Sequence, residues 1–573
     1  KRRVGYIMSE ELREKTELTE EKAEDSTEKE NSSKNKESEK KGDVYEGAII
    51  CGLSLALLII GACLKNYSAA HWLYTFSFVL AGYEILYSLI VKLCKKAVVI
   101  AEITILVASV ILLYCGSSVN ACIVVLGYSA FGLIEKSFTY NALKRAEYYE
   151  NVSGYETDEQ VKLKFKRKAE NLKLLLTEKP NDKIYCNKFK LYLGIGAIVL
   201  GAVAAFIPPL IKISSYGTLL VNKWLPCGAL IAALTQITVT ELLNFLCYYS
   251  AIKSADEFDT QINSFATIDE LSLVNRVYFD KTGVITQKTV TITGIIDCKD
   301  EVKVLSVINA CETNIDEEIR SAIKRFTKEK GFELNEPTVS KAKYTAGKGI
   351  TATADGKEYV IGSEKFLSDN GIGVDPYDGE ESVICVAENG EYLGKIIIKY
   401  VDKPSFNGVI SEIKDDLGLK STLISSDRLA TVDSYKKKFG FDGAISCAST
   451  EYKITKVKES NSLYVGDGDK DGEVLNKLDK GVCIGKACGG EGVVIVDEND
   501  ERSVPRLLKL AKRTRKYNKI IKLATLIAKI AIVAGCVALC AFKTDLCFII
   551  PILNLVCDAA LCAVALSNVS EAV

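Results

Sequence analysis

The chain has 573 residues, 48% of them hydrophobic and 26% charged, with a formal net charge of −1. The near-zero charge averages over a basic loop and a mixed tail, so it singles out no partner, and no nucleic-acid partner is expected. The single histidine, His71, excludes a histidine-built metal centre or histidine nucleophile elsewhere, and the nineteen cysteines contain no C-x-x-C pair. Apart from Cys227, the cysteines read as small buried hydrophobes.

Residues 8–43 are rich in Glu, Lys, Ser and Thr. Such a segment buries too little apolar surface to offset its ordering entropy, so residues 1–43 are expected to form a disordered charged tail. The chain opens on Lys1 rather than methionine, so an upstream segment is expected, and no signal-peptide pattern is present. Apolar runs suited to crossing a hydrocarbon core of ~30 Å follow. They lie at 47–64, 69–91, 97–115, 119–134, 191–212, 217–236, 521–542 and 546–567, eight in all, with Asn222 and Lys223 inside the sixth. Lys92, Lys95 and Lys96 follow the second run and a lysine-rich segment follows the fourth. The positive-inside tendency therefore places these links and both termini in the cytosol. The expected order is spans 1–4 within 44–136, a short cytosolic loop at 137–190, spans 5–6 within 191–250, a cytosolic block at 251–515, and spans 7–8 within 516–573.

The cytosolic block alternates strand-like runs (VNRVYF, KSTLIS, SLYVG, GVCIG) with helical patterns such as NGVISEIKDDLG and TVDSYKKKFG. This alternation predicts a parallel sheet covered by helices, formed by 251–287 and 399–515. Residues 288–398, rich in short strands and glycine turns, read as an inserted α+β domain. The fold class is thus a multi-span α-helical membrane domain with an α/β cytosolic domain and an insert. No internal repeat and no G-x-x-x-x-G-K-[ST] loop occurs.

Ligands of open parallel sheets bind beyond the carboxyl ends of the strands. Asp280, Ser425 and Asp467 fall at such ends, and Lys453 follows the AISC region by a few residues. Together they offer a carboxylate nucleophile, a hydroxyl, an ammonium and a second carboxylate. This is a phosphoryl-transfer arrangement in which Asp280 attacks phosphorus, Mg²⁺ sits between Asp280 and Asp467, and Lys453 offsets charge.

At these residues the block resembles the haloacid dehalogenase superfamily. FDKTGVIT at 279–286 and VGDGDKDGEVL at 465–475 resemble the DKTGT and GDGxND patterns of P-type ATPases. WLPCGAL at 224–230 is similar to the CPC motif of the heavy-metal branch, and Pro226 there frees backbone carbonyls. The resemblance implies catalytic roles for Asp280, Lys281, Thr282, Ser425, Lys453, Asp467 and Asp471, with Mg²⁺ on Asp280, Thr282 and Asp467. It also implies nucleotide contacts from Glu312, Gly347 and Gly349 (AGKGI at 346–350). Asp558 and Asn568 stand at a spacing that resembles the zinc/cadmium-type pumps. A transport site from Cys227, Asp558 and Lys529 is therefore expected, since a carboxylate within a span marks function. ATP, Mg²⁺, a divalent or soft metal cation and membrane lipid are the implied ligands, and a plasma or inner membrane the implied location.

The chain departs from the pattern at several places. Val284 stands for a threonine, Leu225 for the first cysteine of CPC, Glu317-Glu318 for His-Pro, and Lys470 and Glu473 for Asn and Pro. The family's actuator domain carries a Thr-Gly-Glu loop, whereas residues 137–190 contain no TGE. Three readings follow: an ATP-dependent heavy-metal pump phosphorylated on Asp280, with dephosphorylation impaired; a non-pumping relative that binds nucleotide and cation or assembles with a complete pump or a separate actuator-bearing protein; and a membrane-tethered phosphatase. For each departure the plain alternative is packing: Leu225 as core, Lys529 snorkelling, Asp558 facing water.

Overall fold

The computed structural model describes residues 40–64, 66–177, 187–236, 238–311, 317–345, 349–459, 461–485, 492–498, 500–542 and 547–567. The expected tail therefore lies outside the described residues except for 40–43, which already belong to the first helix. Glu312, Gly347 and Asn568 also lie outside them. The chain divides into two compact units, one from Lys1–Ser250 and Tyr517–Asn568, the other chiefly from Ala251–Lys516.

Among the described residues seven helices are long and apolar enough to cross a membrane: Lys40–Cys63, Ala69–Cys94, Ser118–Tyr155, Leu191–Leu210, Gly217–Glu257, Ser503–Phe542 and Ile549–Ser567. The third of the eight expected spans is the exception. It is the 15-residue apolar helix Ile100–Tyr114, about 22 Å long, short of a hydrocarbon core of ~30 Å. Polar side chains join these helices where no water competes. Ser54 Oγ donates to the Ser77 carbonyl at 2.9 Å and Ser77 Oγ donates to the Ser54 carbonyl at 2.8 Å. Glycines bring two helices still closer. A Cβ on Gly201 would lie 2.6 Å from the Gly228 carbonyl, and one on Gly228 would lie 2.3 Å from the Gly201 carbonyl. This backbone approach seats the Leu225–Leu234 helix, and with it Cys227.

The described part of the expected cytosolic loop, up to Thr177, is a helical hairpin. Ser118–Tyr155 continues well past the apolar run and is followed by Glu159–Thr177. Asp158 Oδ1 accepts the Gln160 amide at 2.9 Å, which caps the second helix. Ala142, Ala146, Ala169 and Leu172 are buried, and Tyr149 stacks on Phe165 with ring centroids 5.9 Å apart. Among the described residues of 137–177 there is no strand.

The second unit contains two sheets. In chain order the strands are β1 (Arg276–Phe279), β2 (Thr286–Ile296), β3 (Val339–Thr345), β4 (Gly349–Ala354), β5 (Lys357–Gly362), β6 (Ser382–Glu388), β7 (Glu391–Asp402), β8 (Lys420–Ile424), β9 (Gly443–Ile445), β10 (Ser462–Asp467), β11 (Gly481–Ile484) and β12 (Val493–Val496). The first sheet runs β12-β11-β10-β1-β8-β9 and every pairing in it is parallel. Its central strands are near-continuous apolar runs because both faces are covered. Val277, Tyr278 and Phe279 of β1 are buried, and the Phe279 ring meets Phe406 edge-on at 5.6 Å.

The insert is an antiparallel sheet in the order β2-β7-β6-β5-β4-β3. Helices Glu301–Cys311 and Glu317–Lys330 supply Val304, Ile308 and Ile323 to its core. Glu388 ties this domain together, accepting from Lys303 at 2.7 Å and Tyr359 at 2.9 Å and pairing with Lys357 at 2.8 Å. The two lysines depress its carboxyl to about 2. A depressed folded-state value means that the stabilisation is present above the ordinary glutamate range and is lost as pH falls from about 4.5 towards 2. The thermal midpoint of the insert is expected to drop through that window, and Glu388→Gln is expected to start lower at pH 7 and to fall less steeply across it. An equal slope in the variant would assign the acid loss to other carboxylates.

Candidate functional site

The sequence DKTG follows β1 at the carboxyl edge of the parallel sheet. Asp280 continues the pairing of β1 with β10 through its amide, which donates to the Val465 carbonyl at 2.9 Å. Its Oδ2 accepts the Thr282 amide at 3.1 Å, and its Oδ1 lies 2.6 Å from Lys453 Nζ. Lys453, on the helix Thr450–Lys458, also reaches Asp471 Oδ1 at 3.1 Å and the Tyr464 hydroxyl at 3.2 Å. Burial raises the Asp280 carboxyl, the neighbouring Asp471 adds to this, and Lys453 opposes it, leaving a value of about 6. Burial works against the Lys453 charge, but Asp280, Tyr464 and Asp471 outweigh it, so the ammonium is held well above its ordinary range. At neutral pH the pair is therefore a carboxylate facing a fixed cation.

Asp467 ends the neighbouring strand β10 and is fully buried. Its Oδ1 accepts the amides of Asp469 at 2.8 Å and Lys470 at 3.3 Å, and its Oδ2 is ion-paired. An ammonium, that of Lys288 on β2, stands 3.1 Å from Oδ2 and also pairs with Asp469 at 2.5 Å and Glu498 at 3.5 Å. Gly283 makes this closeness possible. Its φ is +80°, and a Cβ there would sit 2.2 Å from Asp467 Oδ2. Asp280 and Asp467, two buried carboxylates at the ends of adjacent strands, offer the hard oxygen donors a divalent cation takes, so Asp280, Asp467 and Thr282 are the residues that would hold Mg²⁺.

Other expected residues are placed differently. Lys281 is buried but points away from Asp280: its ammonium pairs with Asp427, donates to Ser382 Oγ at 3.2 Å and lies over the Tyr400 ring at 4.6 Å from the centroid. It thus links the parallel-sheet domain to β6 of the insert. Ser425 Oγ accepts the Asp427 amide at 3.2 Å, which shapes the loop after β8. Val284 is fully buried. Gly349 has a packing reason to lack a side chain, since a Cβ would meet the Ile361 carbonyl at 2.2 Å and the Phe366 ring at 2.6 Å. Lys403 escaped sequence reasoning. It donates to the Gly283 carbonyl, the Glu498 carbonyl and Glu501, each at 2.7 Å, and so pins the DKTG loop from below.

In the membrane unit the expected trio of Cys227, Asp558 and Lys529 does not converge. Asp558 is fully buried, and its carboxylate accepts from Lys529 at 3.1 Å and Asn554 at 2.8 Å. Cys227 instead meets Cys536, Sγ to Sγ, at 3.8 Å. Lys529 and Cys536 are seven residues apart on one helix, about 10 Å along its axis. The cause is the helix period: two turns carry the acid–base pair and the thiol to different depths. Preceding Cys227, Leu220–Trp224 forms a π-helical turn and Pro226 opens the next helix, as a residue without an amide hydrogen requires.

A carboxylate at the edge of a parallel sheet, with a lysine against it and a strand-rich domain inserted after it, defines an α/β core with an insert, in a chain that also has helices long and apolar enough to cross a membrane. Comparison with known proteins places that class. No protein-family model matches the chain. It is 28% identical over 258 residues to the copper-exporting P-type ATPase B of Archaeoglobus fulgidus, which spans 43% of this chain and 36% of that protein. It is 23% identical over 356 residues to the cadmium, zinc and cobalt-transporting ATPase of Bacillus subtilis, 59% of this chain and 49% of that protein. Matches to these curated relatives therefore span between about a third and a half of the relatives' length. Among solved structures, a zinc-transporting PIB-type ATPase in the E2.Pi state superposes with a TM-score of 0.56 at 14% identity, covering 91% of this chain and 100% of that one. The homologues of this chain are thus heavy-metal P-type ATPases, and its fold is that of the PIB-type enzymes.

Proposed function

We propose that this chain is an ATP-dependent heavy-metal cation transporter of the P type, with Asp280 as its phosphate acceptor. The observation that carries the reading is the Asp280–Lys453 contact of 2.6 Å at the carboxyl edge of β1, beside the buried Asp467. In the reaction a carboxylate oxygen of Asp280 bonds to the γ-phosphorus of ATP while the bond from that phosphorus to the β-bridging oxygen breaks, and ADP carries away the electron pair. Lys453 offsets charge at the carboxylate and the incoming phosphoryl group. Mg²⁺ when bound would neutralise phosphate oxygens there. Gly349 and the undescribed Glu312 and Gly347 stand as the nucleotide contacts, and a plasma or inner membrane as the location. Incubation with γ-labelled ATP is expected to give an acid-stable adduct that Asp280→Asn abolishes. Absence of any adduct would end this reading.

The helical hairpin Ser118–Thr177 favours a second reading for the later part of the cycle. The resemblance leads one to expect a β domain bearing a water-positioning glutamate in this place. In this reading the aspartyl phosphate forms and decays slowly, or is discharged by a separate actuator-bearing partner. Chasing the labelled adduct with unlabelled ATP separates the cases: a lifetime of minutes favours the hairpin chain acting alone, and rapid loss on adding a co-purifying protein favours the partner.

A further inference from the structure

We propose that Cys227, Cys536 and Cys540 form a three-thiolate binding site for a thiophilic d¹⁰ cation inside the membrane unit. The proposal rests on the reading of the chain as a heavy-metal cation protein, and it names the ligands and the class of ion. The three Sγ atoms lie within 4.8 Å of one another and all three residues are buried. The Cys227–Cys536 separation of 3.8 Å matches what one ion imposes: metal–sulfur bonds of ~2.3 Å place thiolates roughly 3.8 Å apart in a tetrahedral site and roughly 4.0 Å apart in a trigonal one.

The donors are held by the fold. Cys227 lies in the first turn of the Leu225–Leu234 helix, which the Gly201–Gly228 approach fixes. Cys536 and Cys540 lie four residues apart on the Ser503–Phe542 helix, hence on one face. Cys227 Sγ is 3.8 Å from the Cys536 carbonyl, and Cys536 Sγ is 3.9 Å from the Cys227 carbonyl, so each sulfur packs against the backbone of the other helix. A fourth sulfur is near: Cys547 Sγ lies 3.5 Å from Cys540 Sγ.

A cavity of about 170 Å³ reaches these thiols, and Cys227, Cys540 and Cys547 share its wall with Asn120, Asn222 and Lys223. The cavity thus sets polar side chains beside the thiols in an otherwise apolar unit. Binding replaces three S–H bonds with three metal–sulfur bonds and releases the protons to solvent. Three thiolates and a divalent ion carry a net charge of −1, and Lys223, a residue of the same wall whose ammonium donates to the Ala541 carbonyl at 2.9 Å, brings the sum to zero. A monovalent ion leaves −1 after the same count. Thiolate donors exclude hard cations, and the charge favours the divalent members of the d¹⁰ class. Leu225, which removes one sulfur next to Pro226, is thus offset by two sulfurs from another helix.

The test is a Cd²⁺ titration of the reduced full chain in nanodiscs, read by the ultraviolet thiolate-to-cadmium charge-transfer band and by equilibrium dialysis, with a parallel Cu(I) arm. One Cd²⁺ per chain is expected, with Cd²⁺ bound more tightly than Cu(I). Cys227→Ser, Cys536→Ser and Cys540→Ser are each expected to weaken it by ~10-fold or more, and Cys122→Ser, whose thiol packs on the Tyr74 carbonyl, to leave it unchanged. Wild-type protein supplies a readout free of folding effects: Cd²⁺ is expected to protect Cys227, Cys536 and Cys540 from alkylation in peptide mass spectra. Unchanged Cd²⁺ affinity in the triple serine variant, or equal alkylation of the three cysteines with and without Cd²⁺, would overturn the site. A stronger response to Cu(I) than to Cd²⁺ would overturn the charge assignment. No nucleotide is needed, so failure to phosphorylate Asp280 leaves the result standing.

Discussion

Lys453→Met is expected to lower the aspartyl phosphate formed from ATP at pH 7 by ~100-fold or more, because removing one preorganised group that stabilises charge in the transition state costs about 2.7–4 kcal/mol. Lys453 is the group that opposes the rise in the Asp280 carboxyl, through the 2.6 Å contact and its charge. With Lys453 gone, burial and the nearby Asp471 act without opposition, and the carboxyl moves up from about 6. The sign follows directly: attack requires the deprotonated form, so the wild-type adduct is expected to level off above about pH 6, while residual adduct in the variant keeps climbing through pH 8. Lys453→Arg keeps the charge in a larger planar group and is expected to fall between the two. Measuring labelled adduct against pH for all three proteins decides the matter. A methionine variant with wild-type yield would mean that the lysine neither activates nor neutralises the site.

How much of this arrangement could be read in advance depended on the range of the contact concerned. The strands around β1 are buried on both faces, so RVYF, STLI and SLYV appear as short apolar runs, and the residues after them are carboxyl-edge residues by position alone. Asp280 and Asp467 were legible for that reason. Lys453 was legible through its place after the AISC region, and its contact with Asp280 spans 173 residues. Lys281 was not legible: one residue from Asp280, its ammonium turns to Asp427 and Ser382, a choice made by the insert packing against the sheet. The helix Ile100–Tyr114 illustrates another limit, since apolar composition sets a run of nineteen residues while the helix itself covers only fifteen. Cys536 and Cys540 carried a local signal, the four-residue spacing on one helix face, but their partner Cys227 is 309 residues away from Cys536 and nothing local joins them. The Lys403–Glu501 pair, buried below the DKTG loop, had no local signal at all.

Lys288 is the other residue that local pattern missed, and its removal is expected to strengthen Mg²⁺ binding by ~10-fold or more. Its ammonium stands 3.1 Å from Asp467 Oδ2 and 2.5 Å from Asp469. Burial works against that charge, but Asp469, Asp467 and Glu498 raise it well above the ordinary lysine range, so it stays cationic at any physiological pH. A fixed positive charge at the oxygen that would hold Mg²⁺ must move aside or be tolerated when the ion enters. Unit charges about 4 Å apart interact by about 4 kcal/mol at an effective dielectric near 20, and the lysine's partial exposure screens part of that, which leaves the order of a tenfold change. Lys288→Ala carries an opposite effect in the absence of metal. Asp467 then remains fully buried with no counter-charge at Oδ2, so the metal-free protein is expected to melt at a lower temperature than wild type. Adding Mg²⁺ is expected to raise the variant's midpoint by more than it raises the wild type's, because a tighter ligand shifts folding further at equal concentration. Isothermal titration with Mg²⁺, paired with melting curves with and without it, reads both effects. Weaker Mg²⁺ binding in Lys288→Ala, with a smaller metal-induced shift, would instead make Lys288 a support that organises the acidic cluster rather than an occupant that the ion displaces.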